Sequence, residues 1–259
     1  MIGIIIGIIL IGVAAFLEYT RRENAGKLIN VKYNETSKAA DEVADYEAIK
    51  DTVGVGSYTK VVELVGVATC KKPLQAEHSG EDVVYFKSSV TREYEVEEQE
   101  TDSEGRTKWV TNRRSETVAE NERSIPFLLD DGSGKMIEVD MIDAEIIARK
   151  SVDRFEREMP KGYHFNESSG SKTIGYRYNE EVIKINSKLY VLGEASDKNG
   201  GLCVVKPHDA KNSFIVSTKL EKELVEEFEG DSKMYFYGAI ACAVGGVIAI
   251  LLGIFLKVK

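Results

Sequence analysis

The run from Met234 to Leu256 carries no charged residue and is bounded by Lys233 on one side and by Lys257 and Lys259 on the other. At about 1.5 Å per residue, a helix of this length crosses a hydrocarbon core of about 30 Å. Tyr235, Phe236 and Tyr237 fall in its first turn, where rings with a polar tip favour the membrane interface. A second uncharged run, Met1 to Leu17, precedes Glu18, Arg21 and Arg22. Its positive charges follow the apolar residues, the reverse of a signal peptide, so it is read as an uncleaved anchor. A chain with an anchor near each end is constrained to fold between them as a domain tethered twice. The predicted layout is a transmembrane helix over 1–20, a juxtamembrane helical linker over 21–56, a domain over 57–229 and a second transmembrane helix over 234–256, with no domain expected after it.

The two membrane runs absorb much of the 43% apolar content, which leaves a polar intervening stretch. With a formal net charge of −9 and a pI near 5.1, nucleic acid is excluded as the main partner, because phosphate binding needs clustered Lys and Arg. Cys70, Cys203 and Cys242 are too few for a disulfide framework, and Cys242 falls in the membrane run. Gly3 and Gly7 form a small-xxx-small pair, and Ala239, Cys242, Gly246 and Gly253 form a matching stripe on the second run. These glycines are the candidate packing positions between the two membrane helices.

Between the anchors, residues 36–51 read as a helix with Thr36 or Ser37 as N-cap. Strand signals follow at 60–69, then a long alternating hairpin from Val83 through Glu97, a turn at Ser103-Glu104-Gly105, and a return around Trp109. Two short strands at 125–129 and 136–139 complete a first β part over 57–143. Ala144 to Glu158 reads as a helix stopped by Pro160 and Gly162, giving a helical stretch over 144–162. A second β part and a charged amphipathic helix occupy 163–229, with strands at 172–178, 182–185, 188–194, 201–206 and 213–217. Many short strands with few helices predict an α+β fold: a β-rich, partly closed barrel or sandwich between two transmembrane helices. A faint echo links Leu64-Val65-Gly66-Val67-Ala68 with Val191-Leu192-Gly193-Glu194-Ala195.

Gly66, Ala68, Pro73-Leu74, Ser79-Gly80, Val84-Tyr85, Val90, Arg92, Tyr94, Trp109, Pro126-Phe127, Asp130 or Asp131, and Gly134 resemble the first part of the GIDE domain, also called the "beside a membrane" domain. Pro160-Lys161-Gly162, Tyr190 to Ala195, Lys206-Pro207 and Ser217-Thr218 resemble its second part. The resemblance implies the layout of the mitochondrial and chloroplast ubiquitin ligases, in which this domain sits between two membrane helices. It also implies a RING finger after the second helix, and only Lys257, Val258 and Lys259 stand there. A structural zinc site takes four Cys or His ligands per metal, so ligase activity is not carried over. Asp143-Ala144 departs from the Gly-Ala that the family pattern has after the last strand of the first part.

No nucleophile elbow, phosphate-cradling loop or metalloprotease helix is present, and the expectation is a protein that is not an enzyme and holds no cofactor or metal. Cys70 with His78 and Cys203 with His208 lack the tight spacing of zinc ligands. The acidic stretch Glu93 to Glu104 reads as a solvated hairpin tip, or as an arm that contacts a basic partner. Arg92, Tyr94, Trp109, Glu97 and Glu98 are the candidate interaction surface, although packing of Trp109 into the sheet is the simpler reading of that residue. Asn34-Glu35-Thr36 and Asn166-Glu167-Ser168 are glycosylation sequons if the domain is extracellular.

The function expected is a non-catalytic sensor or docking module, with the lipid bilayer and a membrane-associated protein as partners. The alternatives are the substrate-binding subunit of a ligase-like system whose catalytic part is on another chain, and a structural assembly protein that forms homo-oligomers. Arg21, Arg22, Lys27 and Lys233 flank the domain side, which by the positive-inside rule is cytoplasmic. The mitochondrial relatives imply the opposite side, and the charges are followed here.

Overall fold

The computed structural model of the protein describes residues 2–54, 56–101, 105–158, 170–198 and 200–258. The chain opens in α1 (Ile2–Tyr33) and passes through α2 (Ala39–Val53) into β1 (Thr59–Thr69). The short β2 (Leu74–Gln75), the long β3 (Asp82–Thr101) and β4 (Thr107–Ser124) follow, then β5 (Phe127–Asp130) and β6 (Met136–Val139). After β7 (Glu145–Ile147), β8 (Arg149–Glu156) and β9 (Ser171–Lys184) come β10 (Lys188–Ser196), β11 (Cys203–Val205) and β12 (Ile215–Ser217). The last element is α3 (Glu221–Val258).

Five strands close into a barrel. β1 pairs antiparallel with β10 from Thr59–Ser196 to Val67–Lys188, and its far end pairs with β5. β5 pairs with β6, β6 runs parallel to β11, and β11 returns to β10. Numbered within the ring in chain order, the sequence of neighbours is 1-2-3-5-4-1, with the third and fifth strands parallel. This is the connectivity of the OB-type Greek-key barrel. Inward residues alternate along each strand: Val62 and Leu64 on β1, Phe127 and Leu129 on β5, Ile137 and Val139 on β6, and Leu189 and Val191 on β10 are all buried in one cluster. A Cβ on Gly66 would lie 2.7 Å from the Asp130 carbonyl oxygen, so the closing of β5 onto β1 needs glycine there. The echoing segments at 64–68 and 191–195 lie on neighbouring strands, with Leu64 opposite Val191.

A second sheet grows out of the barrel in two excursions, one between β1 and β5 and one between β6 and β10. β3 from the first excursion pairs with β9 from the second, with β4 and β2 on the outer side of β3 and β8 outside β9. β12 and β7 extend the barrel sheet from β10.

The predicted helix over 144–158 is instead β7 and β8. Two neighbouring residues explain why: Ile146 packs on the barrel core and Ile147 on a separate cluster on the barrel's outer face. Burying consecutive side chains on opposite sides is what a strand does and a helix does not. The supposed stop at Pro160 to Gly162 lies outside the described residues, as do Ser103, Glu104 and the sequon at 166–168. The two strands predicted at 172–178 and 182–185 are the single strand β9.

The predicted helix at 36–51 begins three residues later, and neither Thr36 nor Ser37 caps it. Its first amides donate instead to the loop after β5, Ala39 N to Asp131 Oδ2 at 2.9 Å and Ala40 N to Ser133 Oγ at 3.0 Å. Burial raises the Asp131 carboxyl, but bonds from Ser133 and the Ala39 amide outweigh it and hold the group below its ordinary value. Thr36 and Ser37 serve β1: the Thr36 hydroxyl donates to Glu63 Oε1 at 2.6 Å and Ser37 N to the Glu63 carbonyl at 2.8 Å.

Candidate interaction sites

α1 and α3 pack against each other as an antiparallel pair and are both long and apolar enough to cross a membrane. Where they meet, glycine faces glycine. A Cβ on Gly3 would lie 3.1 Å from Gly253 Cα, and a Cβ on Gly246 would lie 2.9 Å from the Gly7 carbonyl oxygen. The four glycines singled out in the sequence thus line one seam, at separations that admit no side chain.

Both helices continue past their apolar runs as a polar stalk that reaches the barrel. Val31 of α1 and Leu224 and Phe228 of α3 are buried against Tyr190, Leu192 and Ile215 on the outer face of the barrel sheet. Lys32 pairs with Glu229 across the two helices, and Lys27 reaches Glu145 of β7 at 2.9 Å. Asn30 donates to the Lys211 carbonyl and to Ser213 Oγ, at 2.8 and 3.0 Å, which ties the loop before β12 to the stalk. Beside this junction the Glu63 carboxylate is fully buried and accepts hydrogen bonds from Thr36 and, at 2.8 Å, from the Tyr190 hydroxyl. Burial raises the Glu63 carboxyl, and these two bonds only partly offset it.

A cleft of about 560 Å³ opens at the same junction, between the start of the stalk and the loops before β7 and β12. Arg22, Glu23, Lys27, Asp143, Glu145, Lys206 and Lys211 supply its charged lining. Asp143 holds φ 63°, a left-handed backbone that favours glycine and that Asp tolerates, and its carboxylate meets Lys206 at 3.2 Å. The departure from the family's Gly-Ala therefore falls on a position whose backbone suits either residue. Sequence reading passed over this cleft, and its only signal was the Arg21-Arg22 pair just past an apolar run.

The third region is the arm formed by β3 and β4. β9 covers β3 from Val83 as far as Val96, beyond which the two strands run on as a bare ribbon. Arg92 lies below that limit and is 2% exposed. Its Nε donates to Thr173 Oγ1 at 2.9 Å, its Nη1 to Glu116 at 2.8 Å and its Nη2 to Ser171 Oγ at 3.0 Å, and its guanidinium lies 4.5 Å from the Tyr94 ring centre. Arg92 thus clamps β4, β3 and β9 together from inside the sheet and is not available at the surface. Glu98 shares a face with Arg92 and Tyr94 and pairs with Arg114 at 2.6 Å. Glu97 and Trp109 belong to the opposite face, where both are exposed. Trp109, expected to pack into the sheet, is 66% exposed, because among the described residues no third strand or covering layer reaches that part of the ribbon. Within the acidic stretch Glu93 pairs with Arg177 and Glu95 with Arg113, at 3.1 and 3.5 Å.

The three cysteines are free thiols; Cys203 is buried, and burial pushes its thiol up to about 11. Among the described residues no group of three or more His, Cys, Asp or Glu side chains is placed to hold a metal ion.

A family model described as GIDE, E3 ubiquitin ligase, matches residues 95–252. The E3 ubiquitin-protein ligase SPL1 of Arabidopsis thaliana is 29% identical over 227 residues, which is 82% of this chain and 62% of the relative. The chain thus spans less than two thirds of that relative's length, and no solved structure matches it. With the family match running over more than half of the chain, from the arm through the later barrel strands and into α3, the chain belongs to the GIDE family.

Proposed function

We propose that this chain is a two-pass membrane protein whose GIDE domain docks a membrane-associated protein partner without catalysing a reaction itself. The observation that carries the reading is the unbroken passage of α1 and α3 from their apolar runs into the packed face of the barrel. A domain held on two continuous helices keeps a defined height and orientation, which raises its effective concentration toward other membrane proteins. The exposed Glu97–Trp109 face of the arm is the part we assign to partner contact; an exposed Trp is a frequent anchor at interfaces. Photo-crosslinking of the full chain in native membranes tests this. A benzophenone side chain at Trp109 or Glu97 is expected to capture one defined membrane protein, and one at Glu98, on the other face, is not. Equal capture from both faces, or none from either, would remove the arm from the reading.

The family match favours a second reading, that the chain is the substrate-binding part of a ubiquitin ligase system. The purified chain is expected to extend no ubiquitin chains with an E1 and an E2 alone, and extension under those conditions would overturn the non-catalytic reading. The positive-inside rule supports a cytoplasmic domain. With Cys70→Ser as background, a membrane-impermeant maleimide on intact cells is expected to leave Thr107→Cys on the arm unlabelled, and rapid labelling would reverse the assignment.

A further inference from the structure

We propose that the cleft at the foot of the stalk binds the headgroup of an anionic phospholipid; the inference rests on the two-pass reading above. Height is the first argument. The apolar run of α1 ends at Leu17, and Arg22 and Lys27 follow five and ten residues later in the same helix. At about 1.5 Å per residue they stand about 8 and 15 Å above the edge of the apolar run. A headgroup layer is about 5 to 8 Å deep on each side of the hydrocarbon, so Arg22, which lines the cleft, stands at the outer edge of that layer, with Lys27 above it.

Charge is the second argument. Lys27 and Lys206 are matched by carboxylates within the cleft: Glu23 and Glu145 for the first, at 3.3 and 2.9 Å, and Asp143 for the second, at 3.2 Å. Four cations against three carboxylates leave the lining one positive charge in excess. Arg22 meets Glu18 through its Nε alone, at 2.9 Å, and Lys211 forms no ion pair among the described residues. The Lys211 ammonium and the Nη groups that Arg22 keeps clear of Glu18 complement a phosphodiester, in a chain whose net charge is −9. Rigidity is the third. The Lys211 segment is tied to the stalk by the two bonds from Asn30, so the cations hold a fixed height above the bilayer instead of sweeping the surface.

The test uses the full chain in nanodiscs of phosphatidylcholine mixed with phosphatidylglycerol, followed by mild detergent release and native mass spectrometry. Phosphatidylglycerol is expected to be retained in preference to phosphatidylcholine. Arg22→Gln and Lys211→Gln are each expected to lower that preference about fivefold, the effect of one cation at an anionic surface. Lys150→Gln, on the second sheet, is expected to leave it unchanged. Unselective retention by the wild type, or equal loss in all three variants, would overturn the proposal. Displacement of the lipid by inorganic phosphate would assign the cleft to a free anion instead. Alkaline carbonate extraction keeps the two readings apart: if the wild type washes off the membrane the anchoring reading fails, whereas firm anchoring with unselective lipid retention defeats the cleft alone.

Discussion

The barrel and the arm are built from the same chain with opposite means. In the barrel every strand has two neighbours, and inward side chains such as Leu64, Leu129 and Val191 are sealed from water. In the arm β4 is an edge strand of mostly exposed residues, held to β3 by the backbone ladder, with ion pairs rather than buried side chains along much of its length. Closed sheets draw stability from burial, whereas exposed ion pairs contribute little and act mainly to fix register and keep an edge soluble. The difference implies that the barrel sets stability and the arm adds little to it.

The largest expected effect belongs to the barrel. Leu64→Ala should cost about 2–5 kcal/mol by cavity formation, while Val110→Ala on the ribbon should cost under about 0.5 kcal/mol. Denaturant titration of the full chain in detergent measures both, and equal losses would erase the contrast between the regions. Arg92 marks the border. Its removal leaves Thr173, Ser171 and Glu116 without their shared donor, so Arg92→Ala is expected to cost about 2–3 kcal/mol and to loosen the arm selectively. Hydrogen exchange that rises in β4 but not in β1 is the expected signature.

Gly246→Leu should weaken helix pairing by on the order of 1 kcal/mol, read as reduced crosslinking between cysteines placed on α1 and α3. Unchanged crosslinking would mean that the stalk alone holds the helices together. The Glu63 pair offers a pH test. A carboxyl raised in the folded protein is destabilising above its folded pKa, and the cost is relieved as pH falls through that value. Glu63→Gln is therefore expected to raise stability at pH 7, by up to about 1 kcal/mol, and to flatten this part of the pH profile. The Asp131 cap works in the other direction: its stabilisation is present above the unfolded value and lost as pH falls through the lowered folded one. A profile in which Asp131→Asn leaves acid sensitivity unchanged would remove the cap from the account. The smallest effect is expected at Trp109→Ala, within about 0.5 kcal/mol in stability, with loss of the captured partner as its readout.

Much of this was legible in the residues. The two apolar runs, their glycines, the alternation in β1, β3 and β10, and the family resemblance all follow from patterns that need no partner to be read. An uncharged run of membrane length and a two-residue alternation are local consequences of solvent and of backbone geometry. What the sequence left undecided were the features in which a residue's fate depends on a distant segment. Ala144 to Glu158 reads as a helix until β9 and β12 offer it edges; Arg92 and Glu98 separate from Glu97 and Trp109 only when register assigns them to faces; and the cap of α2 comes from Asp131, far along the chain. The juxtamembrane cleft draws on three segments, about residues 22–27, 143–145 and 206–214, none of them distinctive alone. The sequence by itself determined which segments seek lipid, core and water, because those preferences belong to each side chain. Only the tertiary structure decided which charges meet and which remain in excess, because hydrogen bonds act over a few ångströms and exposed charges are screened beyond about 10 Å, and those distances exist only after folding.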